Sequence, residues 1–153
     1  MYYVGIDLGL HLGYAVLHDC QLIESGTHVL GKRADDSAIC NLRDFLEKLL
    51  ASYYPVKLGF EDVKQQHRSK AAAKAFGAYW AILALVCYDL GVESFGFGVH
   101  AIKKFASGKG NAIKDDMIDF VKNNYDLIVE SDEADAICIS LLTTQFCETM
   151  VCE

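Results

Sequence analysis

The stretch Tyr2-Tyr3-Val4-Gly5-Ile6-Asp7-Leu8-Gly9-Leu10-His11-Leu12-Gly13-Tyr14-Ala15-Val16-Leu17-His18-Asp19-Cys20-Gln21 decides the fold. Tyr2 to Asp7 is an apolar, β-branched and aromatic run that enters a strand at once. Gly13 to His18 and Gln21 to Leu30 are two further runs rich in β-formers, joined by the tight His18-Asp19-Cys20-Gln21 turn. Three strands in sequence with short connections predict an antiparallel meander. An ionised aspartate ending an otherwise apolar strand needs something to compensate it. The alternative for Asp7 is a turn aspartate, since Asp-x-Gly is also ordinary turn chemistry.

Downstream, the patterns change every ten to twenty residues. Asp35, Asp36 and Ser37 offer capping oxygens ahead of Leu42, Phe45, Leu46, Leu49 and Leu50, one face of a helix that stops before Pro55. Lys57 to Glu61 reads as a short strand, and about Ser69 to Leu90 as a long alanine-rich helix, apolar all round in its second half and therefore expected to be central. Val92 to Val99 is a fifth strand. Ile113, Met117, Phe120 and Val121 mark an amphipathic helix, and Ser131 is placed to cap a last one through Ala134, Ile137 and Leu141. The order β-β-β-α-β-α-β-α-α predicts an α/β fold: a five-stranded mixed sheet, its first three strands antiparallel, with helices on both faces and strands one and four side by side.

With 153 residues, 52% of them hydrophobic, and one proline, residues 1–153 are expected to form a single domain. The longest uninterrupted apolar run, Ala78 to Tyr88, is shorter than the roughly 20 residues of a membrane-spanning helix, and no basic leader precedes the first strand. The expectation is an intracellular protein with no membrane partner. Cys20, Cys40, Cys87, Cys138, Cys147 and Cys152 lack any metal-ligand spacing and read as buried thiols. A net charge of −7 argues against a nucleic-acid partner, but the distribution weakens that argument. Eight of the 14 basic residues fall in two acid-free windows: Lys64, Arg68, Lys70 and Lys74, then Lys103, Lys104, Lys109 and Lys114.

Glu61 ends the fourth strand as Asp7 ends the first, and neighbouring parallel strands would set the two side by side, with Asp62 pointing to the other face. Asp132 and Asp135 stand three apart at a helix start and share a face that Glu133 leaves. Acids in a first helical turn also suit the helix dipole without any further role. Four carboxylates gathered at one edge repel one another unless divalent cations hold them, and an oxygen-only set suits Mg²⁺ or Mn²⁺. Two such ions roughly 3.5–4 Å apart activate a water and stabilise the leaving oxygen in phosphodiester hydrolysis.

Four blocks in order, GIDLGLHLGYAV, FEDV, SGKGNAIKDDM and DEADAICISL, resemble the RuvC-type Holliday junction resolvases of the ribonuclease H-like superfamily, from near the start to about Leu142. The resemblance implies a ribonuclease H-like fold, a homodimer, two Mg²⁺ ions per site (Mn²⁺ substituting) and paired nicks across four-way DNA junctions. Asp7, Glu61, Asp132 and Asp135 match its acids, and Lys103 and Lys114 its two functional lysines. Gly108 and Gly110 let backbone approach closely there, with Lys109 between them. Two departures bear on the substrate. The Gly9 to Gly13 loop is one residue shorter than is usual and lacks a hydroxyl residue, and Lys64 stands where bacterial members carry an aromatic wedge. The expectation is a relaxed-specificity enzyme of phage or viral type, in the cytoplasm of a bacterium or of an infected host cell.

Lys64, His67, Arg68, Lys70 and Lys74 form a basic lead into the long helix, expected with Lys103, Lys104, Lys109 and Lys114 to contact DNA phosphates. His11, His67 and His100 are read as surface histidines in the absence of a visible partner. The Ala71, Ala72, Ala75 and Ala78 face with Tyr79 and Trp80 is assigned to the core, a dimer interface being the alternative. Tyr53, Tyr54, Phe95 and Phe97 are read as packing residues. Three other functions stay in view: a single-site nuclease of the same fold acting on RNA or an RNA–DNA hybrid, a non-catalytic DNA-binding relative, and a sugar-kinase or actin-like phosphate-binding lobe. The last needs two lobes, and 153 residues hold one.

Overall fold

Strands β1 (Tyr2–Asp7), β2 (His11–His18) and β3 (Gln21–Val29) form the expected meander, and β4 (Val56–Glu61) and β5 (Glu93–Phe97) extend it in parallel, giving the order β3-β2-β1-β4-β5. The computed structural model describes residues 1–63 and 69–150. The expected contacts of Lys64, His67 and Arg68, and the thiol of Cys152, lie outside the described residues. Asp19 and Cys20 turn the β2–β3 hairpin with φ of 49° and 61°, the left-handed pair that matches the twist of a two-residue hairpin.

Period two along the strands assigns each side chain to a face. Val4, Ile6, Leu12, Val16, Leu58 and Phe60 point to one core, where α1 (Asp36–Ser52) adds Leu42, Leu46 and Leu50 and α2 (Lys70–Leu90) adds Leu83. Asp35 caps α1 by accepting from the Ala38 amide at 3.2 Å. Gly5, Asp7, Gly13, Gly59 and Glu61 therefore take the opposite face, which α5 (Ser131–Met150) covers. A second core gathers there from Ala15, Met117, Val121, Ile137 and Ile139, with α4 (Lys114–Tyr125) outside α5.

Two expectations about helices are corrected. The central helix is α5, which buries residues all round, including Ser140, Thr143 and Thr144, whose hydroxyls bond back to their own helix. By contrast α2 buries only Tyr79, Leu83, Val86 and Cys87 and leaves Trp80 47%, Leu85 58% and Tyr88 84% exposed. By length and composition α2 would suffice to cross a membrane, but its buried side is part of the sheet core. The second correction is an additional helix, α3 (Val99–Ser107), which starts where the fifth strand was expected to end and carries Lys103 and Lys104.

The seat of α5 depends on missing side chains. A Cβ at Gly13 would collide with the Asp132 carbonyl, one at Gly5 with the Ala136 carbonyl and one at Gly59 with the Thr143 hydroxyl. Gly5 and Gly13 bring the helix backbone against the sheet, and Gly59 makes room for the Thr143 side chain. The thiols also need amending: Cys87, Cys138 and Cys147 are buried, but Cys20 sits on the hairpin tip and Cys40 on the solvent side of α1. Burial pushes the Cys87 and Cys138 thiols up to about 11 and about 12, so neither supplies a thiolate.

Candidate active site

Asp7 and Glu61 close β1 and β4 at the same sheet edge, one strand apart in a parallel register that pairs Ile6 with Phe60. Gly13, the β2 partner of Asp7, is the residue against which the Asp132 backbone packs, so the start of α5 comes down beside Asp7. Helical spacing then turns Asp135 inward as well. Glu133 leaves this group, as its neighbours' spacing predicts, and accepts from the Ser25 hydroxyl at 2.6 Å.

The four acids feel one another. Burial, followed by the Glu61, Asp135 and Asp132 carboxylates, raises Asp7 well above the ordinary aspartate value, against which Lys114 works. Burial and Asp135 raise Glu61, with Lys103 opposing. Asp135 is lifted to about 6, mainly by burial; Lys114 and Lys103 pull it down while Asp132 pushes it up. The site thus holds more negative charge than its surroundings stabilise.

Both lysines are set from separate elements. Lys114 is the first residue of α4, whose N-terminus is tied by the Ile113 amide donating to Asp116 Oδ2 at 2.9 Å. Its Nζ donates to Ser131 Oγ at 3.1 Å, and that hydroxyl donates in turn to Asp132 Oδ1 at 3.2 Å. Ser131 is the first residue of α5 rather than its cap, and its place in this relay escaped the sequence reading. Lys103 projects from α3 toward Glu61 and Asp135. The turn between the lysines is tied by Ser107, whose hydroxyl lies 2.9 Å from both the Lys103 and the Lys109 carbonyl oxygens, with one proton to donate to either, and accepts from the Lys109 amide. Gly108 holds a φ of +72°, open to glycine, and the His100 ring lies on Gly110, a packing role.

Lys70, Lys74, Lys104 and Lys109 are exposed and, among the described residues, make no ion pair. They do not join the carboxylates; they stand as free surface cations. Among the described residues no three His, Cys, Asp or Glu side chains are already closed into a metal cage. The donor set nevertheless fits a hard divalent cation. It offers carboxylate oxygens only, of which Asp7, Glu61 and Asp135 are raised in pKa by burial and then by neighbouring carboxylates, and a cation in their midst would offset both.

The five-stranded mixed sheet is of the ribonuclease H-like class, with acids at the ends of its first and fourth strands and at the start of its last helix. A family profile described as crossover junction endodeoxyribonuclease RuvC matches residues 3–143. The chain belongs to that family, and is an endonuclease. The RuvC protein of Rickettsia africae is 30% identical over 150 residues, spanning 92% of this chain and 94% of its own length. That of Rickettsia typhi is 29% identical over 95% of this chain and all of its own. Among solved structures, Thermus thermophilus RuvC in complex with Holliday junction substrate superposes with a TM-score of 0.83 at 20% identity, covering 97% of this chain and 96% of that one. The yeast mitochondrial Holliday junction resolvase Ydc2 gives 0.61 at 14% identity, over 96% and 83%. At those identities the two structures speak for the fold.

Proposed function

We propose that this endonuclease resolves four-way DNA junctions by paired nicks, working inside the cell as a homodimer whose protomers each use residues 1–153 as one nuclease domain. The observation that carries the reading is the electrostatic coupling of Asp7 to Glu61, Asp132 and Asp135 at one edge, with Lys103 and Lys114 directed at it. Asp7, Glu61, Asp132 and Asp135 would hold Mg²⁺ or Mn²⁺, two ions per site, which when bound supply an activated water and stabilisation of the departing oxygen. Asp7 is the acid on which all three of the others act.

In the reaction a water oxygen bonds to phosphorus and the bond to the 3′ oxygen breaks, leaving a 5′-phosphate and a 3′-hydroxyl that takes up a proton. Lys114, oriented through Ser131, offsets charge on the phosphate, and Lys103 favours the ionised forms of Glu61 and Asp135 against the burial that raises them. Lys70, Lys74, Lys104 and Lys109 attract the backbone of the arms without reading sequence. Selection then rests on junction shape, and the absence of an aromatic at Lys64 favours relaxed sequence preference and action on other branched DNA.

The dimer would form on α2. Gly77, Trp80, Ala81, Ala84, Leu85 and Tyr88 recur at three- and four-residue steps on its outward side, and the exposed aromatics are flanked by small residues that permit close helix approach. The direct test offers a synthetic four-way junction, a linear duplex and an RNA–DNA hybrid to the protein with Mg²⁺, beside Asp7→Asn. Symmetric nicking of the junction by the native protein alone is expected. Cleavage of the hybrid in preference to the junction, or equal cleavage by the variant, overturns the proposal.

A further inference from the structure

Between β3 and α5, one residue along the helix from Asp132, lies a contact that this reaction leaves unused. The Ser25 hydroxyl donates to Glu133 Oε1 at 2.6 Å, tying the strand to the first turn of the helix across 108 positions of sequence. Among the described residues it is the one side-chain hydrogen bond between the sheet and α5. Thr27, two residues further along β3 and opposite Gly13, makes none: its hydroxyl is buried with no partner among the described residues.

The strand is shaped for this bond. Leu22 packs on the α5 core and Ser25 bonds to α5, yet residues three apart on a regular strand lie on opposite faces. The β2–β3 register slips by one residue between them, from Val16 opposite Glu24 to Leu17 opposite Leu22, which leaves Ile23 as a bulge. The extra residue returns both side chains to the helix side, while Glu24 turns toward α1 and accepts from the Tyr53 hydroxyl at 2.7 Å.

The first turn of α5 needs such an anchor. It carries Asp132, whose charge opposes those of Asp7 and Asp135, so without a cation the turn is pushed away from the sheet edge. A first helical turn is also weakly held, because its amides lack partners within the helix. Gly13 lets the Asp132 carbonyl settle on β2 but offers no side chain to hold it there. Ser131 and Glu133, two residues apart, point about 200° from one another around the helix. Lys114 holds one flank through Ser131, and Ser25 holds the other through Glu133.

Resting on the cation-dependent cleavage proposed above, we infer that Ser25 and Glu133 are positioning residues, whose hydrogen bond clamps the first turn of α5 so that Asp132 and Asp135 stand ready for divalent cations. The clamp acts before any cation arrives. Repulsion among the acids is then met during folding, and cation binding need not draw the turn back to the sheet.

The test is Mn²⁺ binding by the full chain without DNA, followed by electron paramagnetic resonance of the free ion, with Asp7→Asn as the blank for binding elsewhere. Ser25→Ala should weaken the binding that exceeds this blank several-fold, up to about tenfold, the worth of one hydrogen bond to a charged group. Glu133→Ala should weaken it as well, in part by removing a negative charge. The double variant separates the two causes: in the Glu133→Ala background, Ser25→Ala should lower Mn²⁺ affinity no further. Native Mn²⁺ affinity in Ser25→Ala, even with a lowered urea midpoint, refutes the clamp, as do additive losses in the double variant. The nuclease reading then stands if the native protein cuts junctions. If the native protein binds no more Mn²⁺ than Asp7→Asn, the cation site is refuted and the clamp with it.

Discussion

Replacing Asp135 by asparagine should stabilise the cation-free protein while removing its activity. In the folded chain the Asp135 carboxyl ionises only at about 6, against 3.8 ordinarily, chiefly because it is buried and also because Asp132 is nearby. Each unit of that elevation corresponds to about 1.4 kcal/mol, so ionised Asp135 costs the native state roughly 3 kcal/mol at neutral pH. The sign follows from proton counting. Between about pH 4 and 6 the folded protein keeps a proton that the unfolded chain has lost, so native stability falls as pH rises through that window. Below about pH 4 both states are protonated and the penalty vanishes. Asparagine carries no charge at any pH, and its removal of one repulsion also eases Asp7 and Glu61.

Urea unfolding in chelator should therefore show Asp135→Asn more stable than native by up to about 3 kcal/mol near pH 7.5, a rise in Tm of roughly 6–12 °C for a chain of this size. At about pH 4.5 most of the difference should be gone. Adding Mg²⁺ should stabilise the native protein more than the variant, because only a ligand that prefers the native site raises its stability. A variant no more stable than native at neutral pH, or a stability gap independent of pH, would refute the claim that Asp135 is held ionised against its burial and its acidic neighbour.

Two further outcomes follow from the packing. Gly13→Ala places a methyl group on the Asp132 carbonyl, so α5 must lift from the sheet; a loss of about 1–3 kcal/mol in urea unfolding is expected, with junction cleavage falling further than stability accounts for. An unchanged urea midpoint would show that α5 does not rest on this glycine. Charging the outward face of α2 with Trp80→Glu and Leu85→Glu should leave the fold intact by circular dichroism and convert the protein to a monomer in sedimentation, with single nicks replacing paired ones. A variant that still sediments as a dimer would place the interface elsewhere.

The acids were legible because each sits at a position that local rules resolve. Asp7 and Glu61 end apolar strands, and strand periodicity sets both on one face; Asp132 and Asp135 are three apart on a helix. The short helix α3 was missed because Val92 to Val99 continues a run of β-formers, and nine residues offer few turns of helical pattern. Ser131 gave no signal beyond that of a cap, since its partner Lys114 is seventeen residues away and only folding aligns them.

The sequence by itself determined the strand meander, the α/β order, the four-carboxylate set and the likeness to junction resolvases, because alternation, caps and motif spacing are local properties of the chain. Only the tertiary structure decided which helix is central. Apolarity alone does not distinguish α2, buried along one side only, from α5, which seats close because Gly5 and Gly13 admit its backbone and Gly59 its Thr143 side chain. Tertiary packing also left the Tyr79 hydroxyl buried with no hydrogen-bond partner among the described residues, beside a cleft that no spacing of alanines announces, since a void is a property of what two helices fail to fill together.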